Sequence, residues 1–196
     1  HPPLPFLRRS VVPPVWRVYQ LWPQIMDPIG HAASIPAPGG WIARCDLEGN
    51  SLELYSVGFR NCYDIAFNDD GELFTFDADM EWDIGTPWYR PTRIVHVTSG
   101  VDFGWRSGNA KWRPEYIDSL PAAVDIGRGS PTGLVFGYQA SFPENYKRAL
   151  FAADWSFGRI LAVHLQPHGS SYRGQWEIFA SAMPLGVTDM AVRPQD

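Results

Sequence analysis

The sequence predicts an all-β fold of the propeller type, represented by about half of its blades. Three observations carry that expectation. Gly and Pro number 18 each and aromatic residues make up 14% of the 196 residues, a composition suited to short strands joined by turns. Short hydrophobic runs alternate with hairpin signals from Trp41 onward, with no extended amphipathic helical pattern between them. A unit of four such runs then recurs, at intervals somewhat longer than the ~40–50 residues usual for a propeller blade. A β-sandwich shares the alternation and the turns; the recurrence favours the propeller.

Residues 1–40 carry PP, PP, WP, DP, IP, AP and GG, so each candidate strand is interrupted before it can extend. This is a loop-rich, Pro-rich segment or insertion, and residues 41–196 form an incomplete propeller of about three blades, truncated at both ends. WIARCDL and SLELYSV, separated by an EGN turn, make a closing half-unit over 41–58. YDIAF, the turn NDDGE and LFTFDAD open the unit 62–131, which holds a long insertion; Gly71 supplies the positive φ a tight hairpin needs. TGLVFGY, the connection FPENYKR, ALFAADWS, a Gly158 turn, RILAVHLQ, a PHGSS turn and QWEIFASA complete the unit 132–182. VTDMAVRPQD repeats the pattern of YDIAFNDDG, so Asp64 and Asp189 begin equivalent inner strands and Gly133 marks the one between them. The chain starts at His1 and stops in a turn signal, and it reads as an internal fragment.

A formal charge of −5 and the lack of a clustered Lys/Arg face argue against nucleic acid as a partner. No apolar run approaches the ~20 residues of a membrane span. Cys45 and Cys62 are too few for a disulfide framework, and their spacing matches no metal motif.

The stretch DADMEWDIGTPW departs most from ordinary composition. Asp77, Asp79, Glu81 and Asp83 alternate with other residues, so on a strand they point one way at about 6.7 Å per step, and only a loop lets them converge on a cation. Calcium takes oxygen ligands of this kind. A solvated strand end, with Asp77 or Asp79 capping a turn, explains the same acids. His96 and His164 alternate with hydrophobic residues on strands and read as structural; His31 lies in a Pro-rich loop. Ser130 and Ser107 lack a nucleophile-elbow context. Trp41, Trp82, Trp88, Trp105 and Trp112 suit packing between blades better than a sugar-binding surface.

GFRNCYDIAFNDDGELFTFDADMEW resembles the G-x-R-N-P-x-G segment of the soluble quinoprotein sugar dehydrogenases and the glucose/sorbosone dehydrogenase group. TRIVHVTSGVDFGWRSG and SPTGLVFGYQASFPENYKRALFAADWSFGRI continue the likeness, which covers about residues 41–196. The wording from DADMEW to NAKW is similar to planctomycete-type proteins that join such a propeller to helical repeats and a haem c domain. The resemblance implies a six-bladed propeller using pyrroloquinoline quinone (PQQ) and calcium to oxidise a sugar or small polyol, in the periplasm or at the cell surface, with electrons passed to a haem partner. It puts Arg60 and Asn61 on the family's quinone-binding Arg-Asn pair, a sensible place for a planar guanidinium donating two parallel hydrogen bonds. Asp77, Asp79 and Glu81 fall where the family holds its calcium, and the catalytic His falls in an earlier blade outside these residues. The chain departs from the pattern where the family's R-x-R-D reads Gly186-Val187-Thr188-Asp189, and where a Lys precedes the hairpin Gly but Ser156-Phe157-Gly158 stands here. These departures support a second expectation, a non-catalytic propeller serving as a binding or docking module.

Overall fold

A computed structural model describes residues 9–10, 39–79, 90–105, 113–116 and 119–193. It divides into two compact units. The first takes the described residues as far as Asn61, Arg90 and those of Thr98–Pro121; the second takes Cys62–Asp79, Pro91–Val97 and the described residues from Ala122 onward.

The first unit is a three-stranded sheet. Strand β1 (Arg9–Ser10) runs parallel to β3 (Glu53–Phe59), and β2 (Gly40–Arg44) pairs antiparallel with the other edge of β3. The expected turn between β2 and β3 forms around Asp46, whose carboxylate accepts Asn50 N–H at 2.7 Å while Gly49 sits at φ 75°. Residues 98–105 then lie along β3, with Val57 N–H donating to Val101 O at 3.0 Å and Phe103 N–H to Val57 O at 2.9 Å. Gly58 is required there: at φ 80° any Cβ would collide with Asp102 and Gly104. Phe59 and Phe103 close this layer at 4.9 Å between ring centroids.

The second unit holds two four-stranded antiparallel sheets. One takes β4 (Ile65–Phe67), β5 (Leu73–Asp77), β6 (Thr92–Val97) and β7 (Val124–Gly127); the other takes β8 (Pro131–Phe136), β9 (Leu150–Asp154), β10 (Arg159–His168) and β11 (Ser171–Ser181). In both, every strand pairs with its sequence neighbour, which is the meander of a propeller blade. The fold is therefore all-β, formed of propeller blades, and the predicted hairpins fall where their turn residues placed them. One core serves both sheets: Phe74, Phe76, Ile94 and Val124 from the first meet Leu134, Phe136, Leu150 and Leu161 from the second. Alternate residues of these strands point into it, the period-2 pattern that the sequence carries.

Three details differ from the sequence reading. The FPENYKR connection contains one helical turn, α1 (Glu144–Lys147), entered through Pro143 at φ −52°. The last hairpin is longer than QWEIFASA implied, with His168 paired to Ser171 across a two-residue turn. Pro167 is tolerated inside β10 because β9 pairs only with Arg159–Val163, leaving the far end of β10 an edge on that side. Residues 187–193, expected to open another inner strand, have no strand ladder. Side chains hold them instead: Thr132 Oγ1 donates to Val187 O at 2.9 Å, and a Cβ on Gly133 would sit 2.6 Å from Asp189 Cα. The repeat is nevertheless real at atomic detail. Asp64 Oδ1 accepts Ile65 N–H at 2.8 Å and Asp189 Oδ1 accepts Met190 N–H at 2.7 Å, while Asp64 Oδ2 reaches Leu134 N–H at 2.8 Å, one residue beyond Gly133.

Candidate functional site

Arg60 and Asn61 follow directly on β3 in the first unit. Residues 98–105 pin the end of that strand, with Trp105 N–H donating to Gly58 O at 2.9 Å, and Arg60 is only 4% exposed while Asn61 is exposed. A buried guanidinium at a strand end is a fixed donor for an anion or a carbonyl group. Trp105 is buried in the same unit and Trp41 packs beside Leu54 and Val57, so both serve as packing residues.

In the second unit, Asp77 ends β5 and faces Arg93 across the β5–β6 pairing, with 3.6 Å between the charged groups and both side chains buried. Asp154 ends β9 and faces Arg159 across β9–β10 in the same register, at 2.8 Å. The two sites are copies of one device. LFTFD and LFAAD are the strands that end in the acid, and TRI and GRI are the starts of the strands that bring the base. Neither Arg93 nor Asp154 is conspicuous alone; comparing the two blades position by position is the signal that finds them. Pairing with Arg93 balances the charge of Asp77 inside the blade.

Asp79 lies two residues past β5, buried, and accepts Gly129 N–H at 3.4 Å. The other blade carboxylate holds the same segment, since Asp154 Oδ1 accepts Ser130 N–H at 2.9 Å. Arg159 adds a hydrogen bond to Arg128 O at 3.1 Å, so residues 128–130 are clamped from both sides. A Cβ on Gly129 would fall 2.6 Å from Asp154 Oδ2, which excludes any larger residue without rearrangement. Cys62 is half-buried, and burial followed by the charge of Asp77 pushes its thiol up to about 12. It remains a protonated, unreactive thiol at neutral pH. Among the described residues no group of three or more His, Cys, Asp or Glu side chains gathers to hold a metal ion. Glu81 and Asp83 lie outside the described residues, as do His31, Ser107, Trp82, Trp88 and Trp112.

His96 is structural, as its alternation predicted. Its Nε2 lies 2.8 Å from Glu72 Oε2 and its Nδ1 3.2 Å from Ser171 Oγ, and its ring stacks on Phe74 with centroids 5.3 Å apart. His164 pairs with Glu177 at 3.1 Å on an exposed face. Ser130 spends its backbone on Asp154, while its hydroxyl accepts Ser156 Oγ–H at 2.6 Å.

Two successive four-stranded meanders, each carrying a carboxylate–guanidinium pair at the same place, are repeated propeller blades. Two solved structures share the fold. One is a Thermus thermophilus oxidoreductase described as a glucose dehydrogenase, with a TM-score of 0.55 and 18% identity over 72% of this chain and 39% of that one. The other is the PQQ-bound form of aldose sugar dehydrogenase from Streptomyces coelicolor, with a TM-score of 0.52 and 17% identity over 79% of this chain and 38% of that one. The chain therefore spans about two fifths of the length of either. No protein-family model matches the chain, and no curated protein matches it. Among the described residues no helix is long and apolar enough to cross a membrane.

Proposed function

We propose that residues 41–196 are propeller blades of a sugar oxidoreductase related to the quinoprotein sugar dehydrogenases, and that residues 1–40 are a loop-rich, Pro-rich segment or insertion. The observation that carries this reading is the buried Arg60 at the end of β3, on the Arg-Asn pair that resembles the quinone-binding pair of that family. The shared blade fold supports it. In this reading Arg60 and Asn61 donate hydrogen bonds to PQQ, which when bound would accept a hydride from the sugar. Fit to that cofactor is partial, because Gly186, Thr188 and the Ser156-Phe157 pair stand where the family has cations, so no catalytic step is assigned to these residues. Calcium near Asp77, Asp79 and Glu81 belongs to the same proposal. A haem c partner and a periplasmic or cell-surface location complete it.

The missing cations favour a second reading, a propeller that retains the scaffold as a binding module without the quinone. Titration of PQQ into the protein, followed by the quinone's absorbance, separates the two. Saturable binding that is lost in Arg60→Ala supports the oxidoreductase. Absence of binding leaves the module.

A further inference from the structure

β11 is the outermost strand of its sheet: β10 pairs along one side of it, and no strand of the described residues pairs along the other. It is also the longest of the described strands, with no proline inside it and with Arg173, Gln175 and Glu177 exposed. An edge of that length offers a row of free N–H and C=O groups to another strand.

The β10 ladder determines which groups are free. Pro167 sits opposite Tyr172 and has no N–H to give, so that pair exchanges no ladder bonds. Antiparallel alternation then makes Gln166–Arg173, His164–Gln175 and Ala162–Glu177 the hydrogen-bonded pairs, and Tyr172, Gly174, Trp176 and Ile178 turn their backbone groups to the open side. The regular stretch is residues 172–178, because the register shifts beyond the Leu161–Ile178 pair, and Gln175 is its middle residue. The strand is steadied from behind: Trp176 Nε1–H donates to Asp125 O at 3.2 Å, and Tyr172 Oη accepts Asn68 Nδ2–H at 3.1 Å. An edge ordered before association loses little entropy when a partner covers it.

Charge along the stretch identifies the partner. Arg173 and Glu177 lie two residues either side of Gln175 and share its face of the sheet. A second copy of the strand, laid antiparallel about a two-fold axis through Gln175, sets Arg173 of each copy opposite Glu177 of the other. The same register sets Gly174 opposite Trp176, and Tyr172 opposite Ile178, which is 53% exposed, so outward backbone groups meet outward ones. A shift of two residues either way loses both ion pairs, and a parallel arrangement in register brings like charges together. Glu177 is held ready, its Oε1 3.1 Å from His164 Nε2, while Arg173 has no salt bridge among the described residues. We propose that β11 is a self-association edge, through which two copies of this chain pair antiparallel over residues 172–178 and join their four-stranded sheets into one. The pairing is independent of whether the propeller is an oxidoreductase or a binding module.

Sedimentation velocity of the unmodified protein at concentrations up to about 100 µM should show a monomer–dimer equilibrium. Amide hydrogen exchange should slow at Tyr172, Gly174, Trp176 and Ile178 as the dimer forms. Arg173→Glu or Glu177→Arg sets like charges opposite each other twice in the dimer, and each should weaken association by about tenfold or more. An equimolar mixture of the two variants should dimerise as the unmodified protein does. In the mixed dimer the two substituted positions face each other with opposite charge, as do the two unsubstituted ones, and such rescue also shows that both variants fold. A monomer throughout the concentration range, a dimer without protection at those four amides, single variants that associate as tightly as the unmodified protein, or no gain on mixing each overturns the proposal.

Discussion

Asp154 and Arg159 illustrate what a single residue contributes in this fold. Both are largely buried, and the carboxylate also holds Ser130 N–H, so removing one partner strands the other charge. Asp154→Ala or Arg159→Met should each cost ~3–5 kcal/mol in urea unfolding. The double change Asp154→Leu/Arg159→Met should recover much of that loss, because no isolated charge remains. A double-variant loss equal to the sum of the two single losses would show that the pair is not coupled. Cys62 supplies a second test at this scale. Its folded pKa is raised from the ordinary 9.0 to about 12, so between those values the unfolded chain has lost the proton and the folded chain has kept it. Stability should therefore decline as pH rises above 9.0 toward 12. A Cys62→Ser variant should show a shallower decline in denaturation curves across that interval. The sequence exposed the acids but not their partners: Asp77 and Arg93 meet through strand register, and local spacing carries no trace of that.

At the scale of elements, hairpins were legible because their determinants are local. Asn68 shows this: its side chain accepts Asp70 N–H at 3.1 Å and Glu72 N–H at 2.7 Å, and Gly71 follows at φ 84°, all within the stretch NDDGE. The β10–β11 turn rests on Gly169 at φ 60°, where a Cβ would meet nothing within 4 Å. Backbone conformation alone then sets the cost of substitution, and Gly169→Ala should lose about 1–2 kcal/mol, while Gly169→Asn should lose clearly less because Asn accepts the left-handed region. Thermal melts of the two variants measure the difference. Gly129→Ala offers the contrast: its Cβ would press on Asp154 Oδ2 at 2.6 Å, so it should melt lower than Gly169→Ala and be relieved in part by Asp154→Ala. Strand length was less legible than strand position. The end of β10 depends on where β9 stops, and residues 187–193 have the composition of a strand without a ladder partner. A strand is a property of two segments, and one sequence window displays only one of them.

For the whole molecule, the fold was legible because a repeat averages over local ambiguity: LFTFD with LFAAD, and Asp64 with Asp189, mark the same places twice. The chemistry is less so, since a propeller site draws on residues from many blades and this chain spans about two fifths of its structural neighbours. In the proposed oxidoreductase reading, charge sets the limit on quinone binding. PQQ is a tricarboxylate, and of the positions matched to the family's quinone-binding cations only Arg60 is basic here, with Gly186, Thr188 and the Ser156-Phe157 pair in place of the others. Each absent charge-assisted hydrogen bond removes roughly 1.5–3 kcal/mol. Three together remove roughly 5–9 kcal/mol, enough to shift a nanomolar complex to micromolar or weaker by three or more orders of magnitude. We therefore expect PQQ to bind this protein with a Kd no tighter than about 1 µM, and dye-linked oxidation of simple aldoses to be slow even with excess cofactor. Restoring a cation should act in the opposite direction. Thr188→Arg is the choice that spares the Gly186 contact with Trp155, and it should tighten PQQ binding by about tenfold while leaving the fold intact. Tight binding by the unmodified protein, or no gain from Thr188→Arg, would show that the quinone is not held by the cations this resemblance assigns.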